Sequence, residues 1–353
     1  MKKLIRMVCA VSFLLITSLY TCSIISAVQN SDQDSVAKLV NDIKQKGWIV
    51  YCARSENGTW DLFASRPDGS QKRNITNSPD YEEAAPLFSR DSQKLLYRRM
   101  KKGTTISHDL WGFQGQLIVA KADGSNPRAM GEDKEYTWAS WSPDGQQIAC
   151  LDRKGIYIID IQTKAQVRTL PRKGIYQQLF WSPDGKWFTG TGNHAGAQWC
   201  VVRMNAVSGE LNPVVKLQSC TPDWCPDSNR IIYSSRPPDQ SKTNSYGWTQ
   251  FYIADGEGKN ARMIYGENGF HIYGGVLSPD SAYALFTKCM ADGGGSEKYG
   301  APMCIIRMSD TPMIVGNSTF LEEINPNAKK GPVFTLADGW EPVWTYAEVF
   351  SEQ

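Results

Sequence analysis

From about residue 48 to residue 346 the chain alternates apolar and polar side chains in short runs of roughly four to eight residues, the period of half-buried β-strands. Gln147-Ile148-Ala149-Cys150-Leu151 and Arg230-Ile231-Ile232-Tyr233 are two such runs, and each follows a copy of one motif. Trp141-Ser142-Pro143-Asp144-Gly145 recurs as Trp181-Ser182-Pro183-Asp184-Gly185. Looser copies are Phe88-Ser89-Arg90-Asp91-Ser92, Trp224-Cys225-Pro226-Asp227-Ser228 and Leu277-Ser278-Pro279-Asp280-Ser281, and Trp344-Thr345 is a truncated last one. The large apolar residue ends a strand, and Ser-Pro-Asp-Gly supplies a type I turn, because Pro holds φ where position i+1 needs it. Each copy is therefore a hairpin. A second hairpin per repeat turns at Asp68-Gly69-Ser70, Asp123-Gly124-Ser125, Ser208-Gly209-Glu210 and Asp255-Gly256-Glu257. Two hairpins make a four-stranded antiparallel sheet, and repeats of this length form the blades of a β-propeller.

Two segments depart from the repeat. Residues 31 to 46 place Val36, Leu39, Val40 and Ile43 on one face, after Ser31 and Asp34 and before Gly47, which predicts one short N-terminal helix. The first repeat (Trp48 to Cys52, Asp61 to Ala64, Arg73 to Thr76) has three strands and lacks the innermost one, whereas Glu341-Pro342-Val343-Trp344-Thr345 reads as an innermost strand with no hairpin after it. The expected fold is all-β: a six-bladed β-propeller of four-stranded antiparallel blades, closed by pairing residues 48 to 76 with 340 to 346. The other blades begin near Glu83, Thr137, Tyr176, Ser219 and Ile272, and Asn317 to Gly331 is a polar insertion. The competing count is five blades with a decorated edge.

Lys2, Lys3 and Arg6 precede an apolar run from Met7 to Ala27, so residues 1 to 27 read as a secretory signal peptide. A retained membrane anchor and a lipid-modified Cys22 are the competing readings. The expected organisation is a leader (1 to 27), a helical lead-in (28 to 47), the propeller (48 to 346) and a tail (347 to 353). Of nine cysteines, Cys9 and Cys22 lie in the leader, leaving seven. Export permits pairing, and Cys289 and Cys304, at the neck of one long loop, are the candidate disulfide; Cys52 and Cys150 read as buried thiols. A formal net charge of +2 on 353 residues gives no reason to expect nucleic acid.

Asp61 to Thr76 and Trp141 to Leu151 resemble the repeats of TolB-type propellers, which read approximately I-Y-V-M-N-A-D-G-S…R-x-L-T…P-x-W-S-P-D-G-K-x-I-A-F. The resemblance covers nearly all of residues 48 to 346 and implies the propeller fold. The same repeat serves envelope proteins, peptidase accessory domains and sugar lyases, so it names no single activity. TolB itself is expected to carry an α/β domain before its propeller, where this chain has only residues 28 to 47.

Blade connectivity puts the short, similar turns on one face and the variable loops on the other, which is where binding is expected. Trp111, Phe113, Tyr246, Trp248, Phe270, Tyr273 and Trp340 fall on or near that variable face and are the candidate ligand-binding residues. Trp138 and Trp199 lie there too but read as packing between blades, as do the motif residues Trp141, Trp181, Trp224 and Trp344. His108, His194 and His271 fall on the same face and are candidate ligands for a divalent metal, the only cofactor the sequence suggests. No Gly-x-Ser-x-Gly elbow or phosphate loop occurs.

The preferred expectation is an exported, non-catalytic, monomeric propeller in the periplasm or outside the cell, binding an envelope protein, a peptide or a cell-wall glycan. The alternatives are a metal-dependent lyase of acidic polysaccharides and a Tol-Pal-like structural partner.

Overall fold

The computed structural model describes residues 33–104, 106, 114–194, 196–216, 218–236, 249–290, 301–316 and 319–350. The leader, His108, Trp111, Phe113, Tyr246 and Trp248 lie outside the described residues. Among those described, no helix is long and apolar enough to cross a membrane.

Helix α1 covers residues 33–43 and runs into β1 (Trp48–Arg54), β2 (Trp60–Ser65) and β3 (Arg73–Asn74). Next come β4 (Tyr81–Phe88), β5 (Lys94–Lys101), β6 (Gly115–Lys121) and β7 (Arg128–Tyr136). β8 (Trp138–Trp141), β9 (Gln147–Leu151), β10 (Gly155–Asp160) and β11 (Gln166–Pro171) form the following repeat. After it lie β12 (Ile175–Trp181), β13 (Trp187–His194), β14 (Ala197–Asn205) and β15 (Leu211–Pro213). β16 (Ser219–Trp224), β17 (Arg230–Ser235), β18 (Gln250–Asp255) and β19 (Arg262–Glu267) come next. The chain ends with β20 (Phe270–Leu277), β21 (Tyr283–Met290), β22 (Ala301–Arg307), β23 (Met313–Val315), α2 (Thr319–Ile324) and β24 (Phe334–Thr345).

The fold is all-β with the sheets arranged as in a propeller. β4, β8, β12, β16, β20 and β24 neighbour one another in that order, and β24 in turn neighbours β4. Apolar clusters fill the spaces between successive sheets; Ala149 to Ile158 of one, for example, pack on Leu179, Phe188 and Val202 of the next. The motif tryptophans pin neighbours together, with Trp141 Nε1 donating to the Leu87 carbonyl at 3.0 Å and Trp224 Nε1 to that of Phe180 at 3.1 Å.

Six separate four-stranded sheets were expected, and among the described residues hydrogen bonding instead gives five: three of four strands, one of five and one of seven. The physical reason is β24. Its first half pairs with β22 (Ala301↔Gly339, Ile305↔Phe334) and its second half with β1 (Trp48↔Thr345, Val50↔Val343), so one continuous strand joins two strand sets into a single sheet. The five-stranded sheet arises because β23 adds parallel to β19, and Leu321 of α2 is buried with Met263 and Ile314 behind it. β23, just ahead of the segment that reads as a polar insertion, thus covers an otherwise open sheet edge, and α2 of that segment packs behind it.

α1 lays Leu39 and Ile43 against Ile49, Tyr51, Leu285 and Trp344. Gly47, which stops the lead-in, has φ of +72°, and a Cβ there would stand 1.9 Å from the Thr345 carbonyl oxygen. Only glycine fits so close a backbone approach. The tail folds back on β1: Trp48 Nε1 donates to Glu348 at 2.6 Å, and the Phe350 ring meets the Trp48 ring edge-on at 4.6 Å.

No disulfide joins the seven cysteines among the described residues, so the expected Cys289–Cys304 bridge is not formed. Strand parity explains it. Phe286 pairs with Cys304 and Thr287 with Met303, so Cys304 shares a face with Phe286 while Cys289, an odd number of residues on, points to the other. Cys289 accordingly packs in the cluster of Ala301 and Trp340, and Cys304 in that of Phe286 and Phe251.

Candidate functional site

The site begins with a backbone irregularity repeated around the axis. The pairing register slips at Ala84/Leu87, Gln177/Phe180, Cys220/Asp223 and Tyr273/Val276, and between Val50 and Cys52 where β1 meets β24. At each slip the inner strand holds a left-handed residue: Ala85 (φ 55°), Gln178 (φ 49°), Thr221 (φ 46°), Gly274 (φ 53°) and Glu341 (φ 51°). β8 alone pairs regularly from Trp138 to Trp141. Positive φ is unfavourable for side chains with a Cβ. Ala85, Thr221 and Glu341 also precede prolines, which favour extended backbone before them. Four of the five bulges, all but the one at Gly274, therefore store strain, a feature that concentrates at functional sites.

The bulges surround one cavity, lined by residues of β4, β8, β12, β16, β20 and β24. Its wall carries Trp138, Tyr176, Tyr273 and Trp340, with Arg98, Glu341 and Asp223 as the charged groups. Arg98 is buried, donates to the Thr137 carbonyl, lies 4.9 Å from the Trp138 ring centroid and reaches Glu341 at 3.6 Å. Burial pushes the Glu341 carboxyl above the usual range, and the Arg98 charge offsets part of that. Asp223 accepts the Trp224 N–H at 2.7 Å, and burial pushes its carboxyl up to about 7. The residue is half-buried against the cavity it lines, and the protein packed around its carboxyl makes desolvation the leading cause. A second cavity, towards the Ser-Pro-Asp-Gly turns, shares Leu87, Phe180, Asp223, Val276 and Val343 with the first. These five form a waist between the two.

No family model matches the chain. Over 130 residues, 34% of this chain and 28% of the relative, it is 32% identical to the Tol-Pal system protein TolB of Alcanivorax borkumensis. The solved structure of TolB from Acinetobacter baumannii is similar at a TM-score of 0.51 and 17% identity, covering 85% of this chain and 66% of that one. A TolB candidate from Agrobacterium tumefaciens gives 0.55 and 17%, covering 85% of this chain and 93% of that one. The chain carries a TolB-like β-propeller. It spans little more than a quarter of the length of the curated relative it matches.

The TolB-like propeller brings two of the sequence-derived ligand residues, Tyr273 and Trp340, to the wall of its cavity, both largely buried in the core as well. Phe270 is half-buried elsewhere, with the Lys288 ammonium 4.5 Å from its ring centroid. Trp138, read from the sequence as packing, does both: it meets Phe180 edge-on at 5.8 Å and lines the cavity. Of the three candidate metal ligands, His271 is buried, its Nδ1 accepts the Thr249 N–H at 3.0 Å, and its ring stacks on Tyr273. A core role accounts for it. His194 ends β13, half-buried. Among the described residues no group of three or more His, Cys, Asp or Glu side chains could hold a metal ion.

Sequence reasoning missed Arg98, Glu341 and Asp223. The signal existed. The residue before the motif's large apolar residue is Leu87, Ser140, Phe180, Asp223, Val276 or Val343, and only the copy in β16 puts a charge there.

Proposed function

We propose that the protein is an exported, non-catalytic propeller of six blades that binds a protein, peptide or glycan of the cell envelope, through its variable-loop face and the axial cavity beneath it. In this reading the seven-stranded sheet is two blades. β24 serves as the outer strand of the last blade and then as the inner strand of the first, which closes the ring. The observation that carries the reading is the cavity itself: five bulges, four of them strained, an aromatic wall and three charged groups meet on the axis, where packing alone needs none of them. The relative's description as a Tol-Pal system protein supports an envelope protein as the ligand and the periplasm as the compartment.

Retention of envelope components on immobilised wild-type protein tests the reading, against a Trp111→Ala, Tyr176→Ala, Trp248→Ala variant whose thermal unfolding is checked in parallel. Specific retention by wild type and loss in a folded variant are expected. No specific retention by wild type, or equal retention by both, sinks it.

A further inference from the structure

The Asp223 carboxylate stands at the waist of the axial channel, where every other residue shared by the two cavities is apolar: Leu87, Phe180, Val276 and Val343. Its hydrogen bond comes from the next residue's own N–H, and no cation of the described chain pairs with it. The other carboxylate of the cavity, Glu341, already faces Arg98. An ionisable group in so enclosed a place without a counter-charge is costly, and the waist position tolerates apolar side chains in the neighbouring copies, so packing does not call for an acid here.

We infer that the channel waist binds an organic cation, an alkylammonium such as a lysine side chain or a chain amino terminus, with Asp223 as its anionic partner and the aromatic wall around its alkyl stem. The inference rests on the ligand-binding reading above and names the chemistry of the group that enters. Trp138, Tyr176, Tyr273 and Trp340 offer ring faces and edges that suit an alkylammonium better than a hydrated metal ion. A single carboxylate is too few oxygens for calcium or magnesium. The turn-side rim is held by Arg90, whose Nη1 donates to the Pro183 carbonyl at 3.1 Å, from one sheet to another across the opening. Arg90 replaces the proline found in the other four full copies of the turn motif. Its charge opposes cation entry from that side, so the guest enters from the variable-loop face.

Binding depends on pH. The titratable and charged groups facing the waist are Arg98 and Glu341, which face each other, Tyr176 and Tyr273, and Arg90 on the turn side, with Cys225 packed away from the cavities just after Asp223's strand. Burial holds Tyr176 and Cys225 protonated, raises the Glu341 carboxyl against the opposing Arg98 charge, and pushes the Asp223 carboxyl up to about 7. A cation is held by the ionised carboxylate, so affinity rises as pH climbs through that value.

The test is titration of the full chain with n-butylammonium chloride, n-butanol and calcium chloride at pH 8 and pH 5.5, followed by tryptophan fluorescence and calorimetry. Butylammonium should bind at least tenfold more tightly than butanol at pH 8 and lose at least fivefold in affinity at pH 5.5, and Asp223→Asn, shown folded by thermal unfolding, should lose both preferences. Equal binding of the amine and the alcohol, an unchanged preference in Asp223→Asn, or calcium binding at the site overturns the inference. Envelope-ligand retention without any ammonium preference sinks this inference alone, whereas ammonium preference without such retention sinks the wider reading alone.

Discussion

The Trp344 indole donates a 2.8 Å hydrogen bond to the carbonyl of Lys46, 298 positions earlier in the chain. It joins the last turn motif to the end of the lead-in helix, beside Gly47 and the Thr345 carbonyl. The N-terminal and C-terminal segments are thus one packed unit, and its stability depends on the tight backbone approach at Gly47.

Gly47→Ala should destabilise the protein by about 2–4 kcal/mol, because both the left-handed φ and the space for a Cβ are lacking. Urea denaturation measures this. A loss below about 0.5 kcal/mol would mean that the two segments separate easily.

Arg98 and Glu341 act as a pair. Arg98→Met leaves the Glu341 carboxylate enclosed without its partner and should cost about 3 kcal/mol. Adding Glu341→Gln should recover part of that loss, and a double-mutant cycle by chemical denaturation reads the coupling.

Stability should fall as pH rises from about 4 to above 7. The folded protein holds Asp223 and Glu83 carboxyls at about 7, well above their ordinary values of 3.8 and 4.5, so in that window it binds protons that the unfolded chain has released. Burial is the leading cause at both, opposed at Glu83 by Arg99 at 3.1 Å. The stabilisation is complete below the unfolded values and lost as pH passes through the folded ones. Thermal unfolding across pH 4 to 8.5 should show this decline, with Asp223→Asn flattening it and exceeding wild type in stability at pH 8.

A reductant should leave the melting temperature unchanged, and Cys289 and Cys304 should both alkylate after denaturation without reduction. A mass corresponding to an intact bridge between them would contradict the strand parity that separates them.

His271→Ala should destabilise by about 2–3 kcal/mol, through loss of a buried hydrogen bond and of packing on Tyr273. Metal analysis of wild type and variant separates this core role from ligation, since a ligand's loss would lower bound Zn²⁺ or Mn²⁺.

The sequence by itself determined the local elements. Alternating runs and Ser-Pro-Asp-Gly turns depend on neighbours a few residues apart, so the strand positions, the short helix with Leu39 and Ile43 inward, and the inner-strand character of residues 341 to 345 were all readable. Only the tertiary structure decided the rest. Whether β24 ends one sheet or bridges two, which faces Cys289 and Cys304 take, and where the register slips at Ala85, Gln178, Thr221, Gly274 and Glu341 depend on hydrogen bonds between distant segments. Asp223 belongs to both: its letter stands out at one position of the repeat, but its burial, and with it the chemistry that burial creates, exists only once the inner strands meet around the axis.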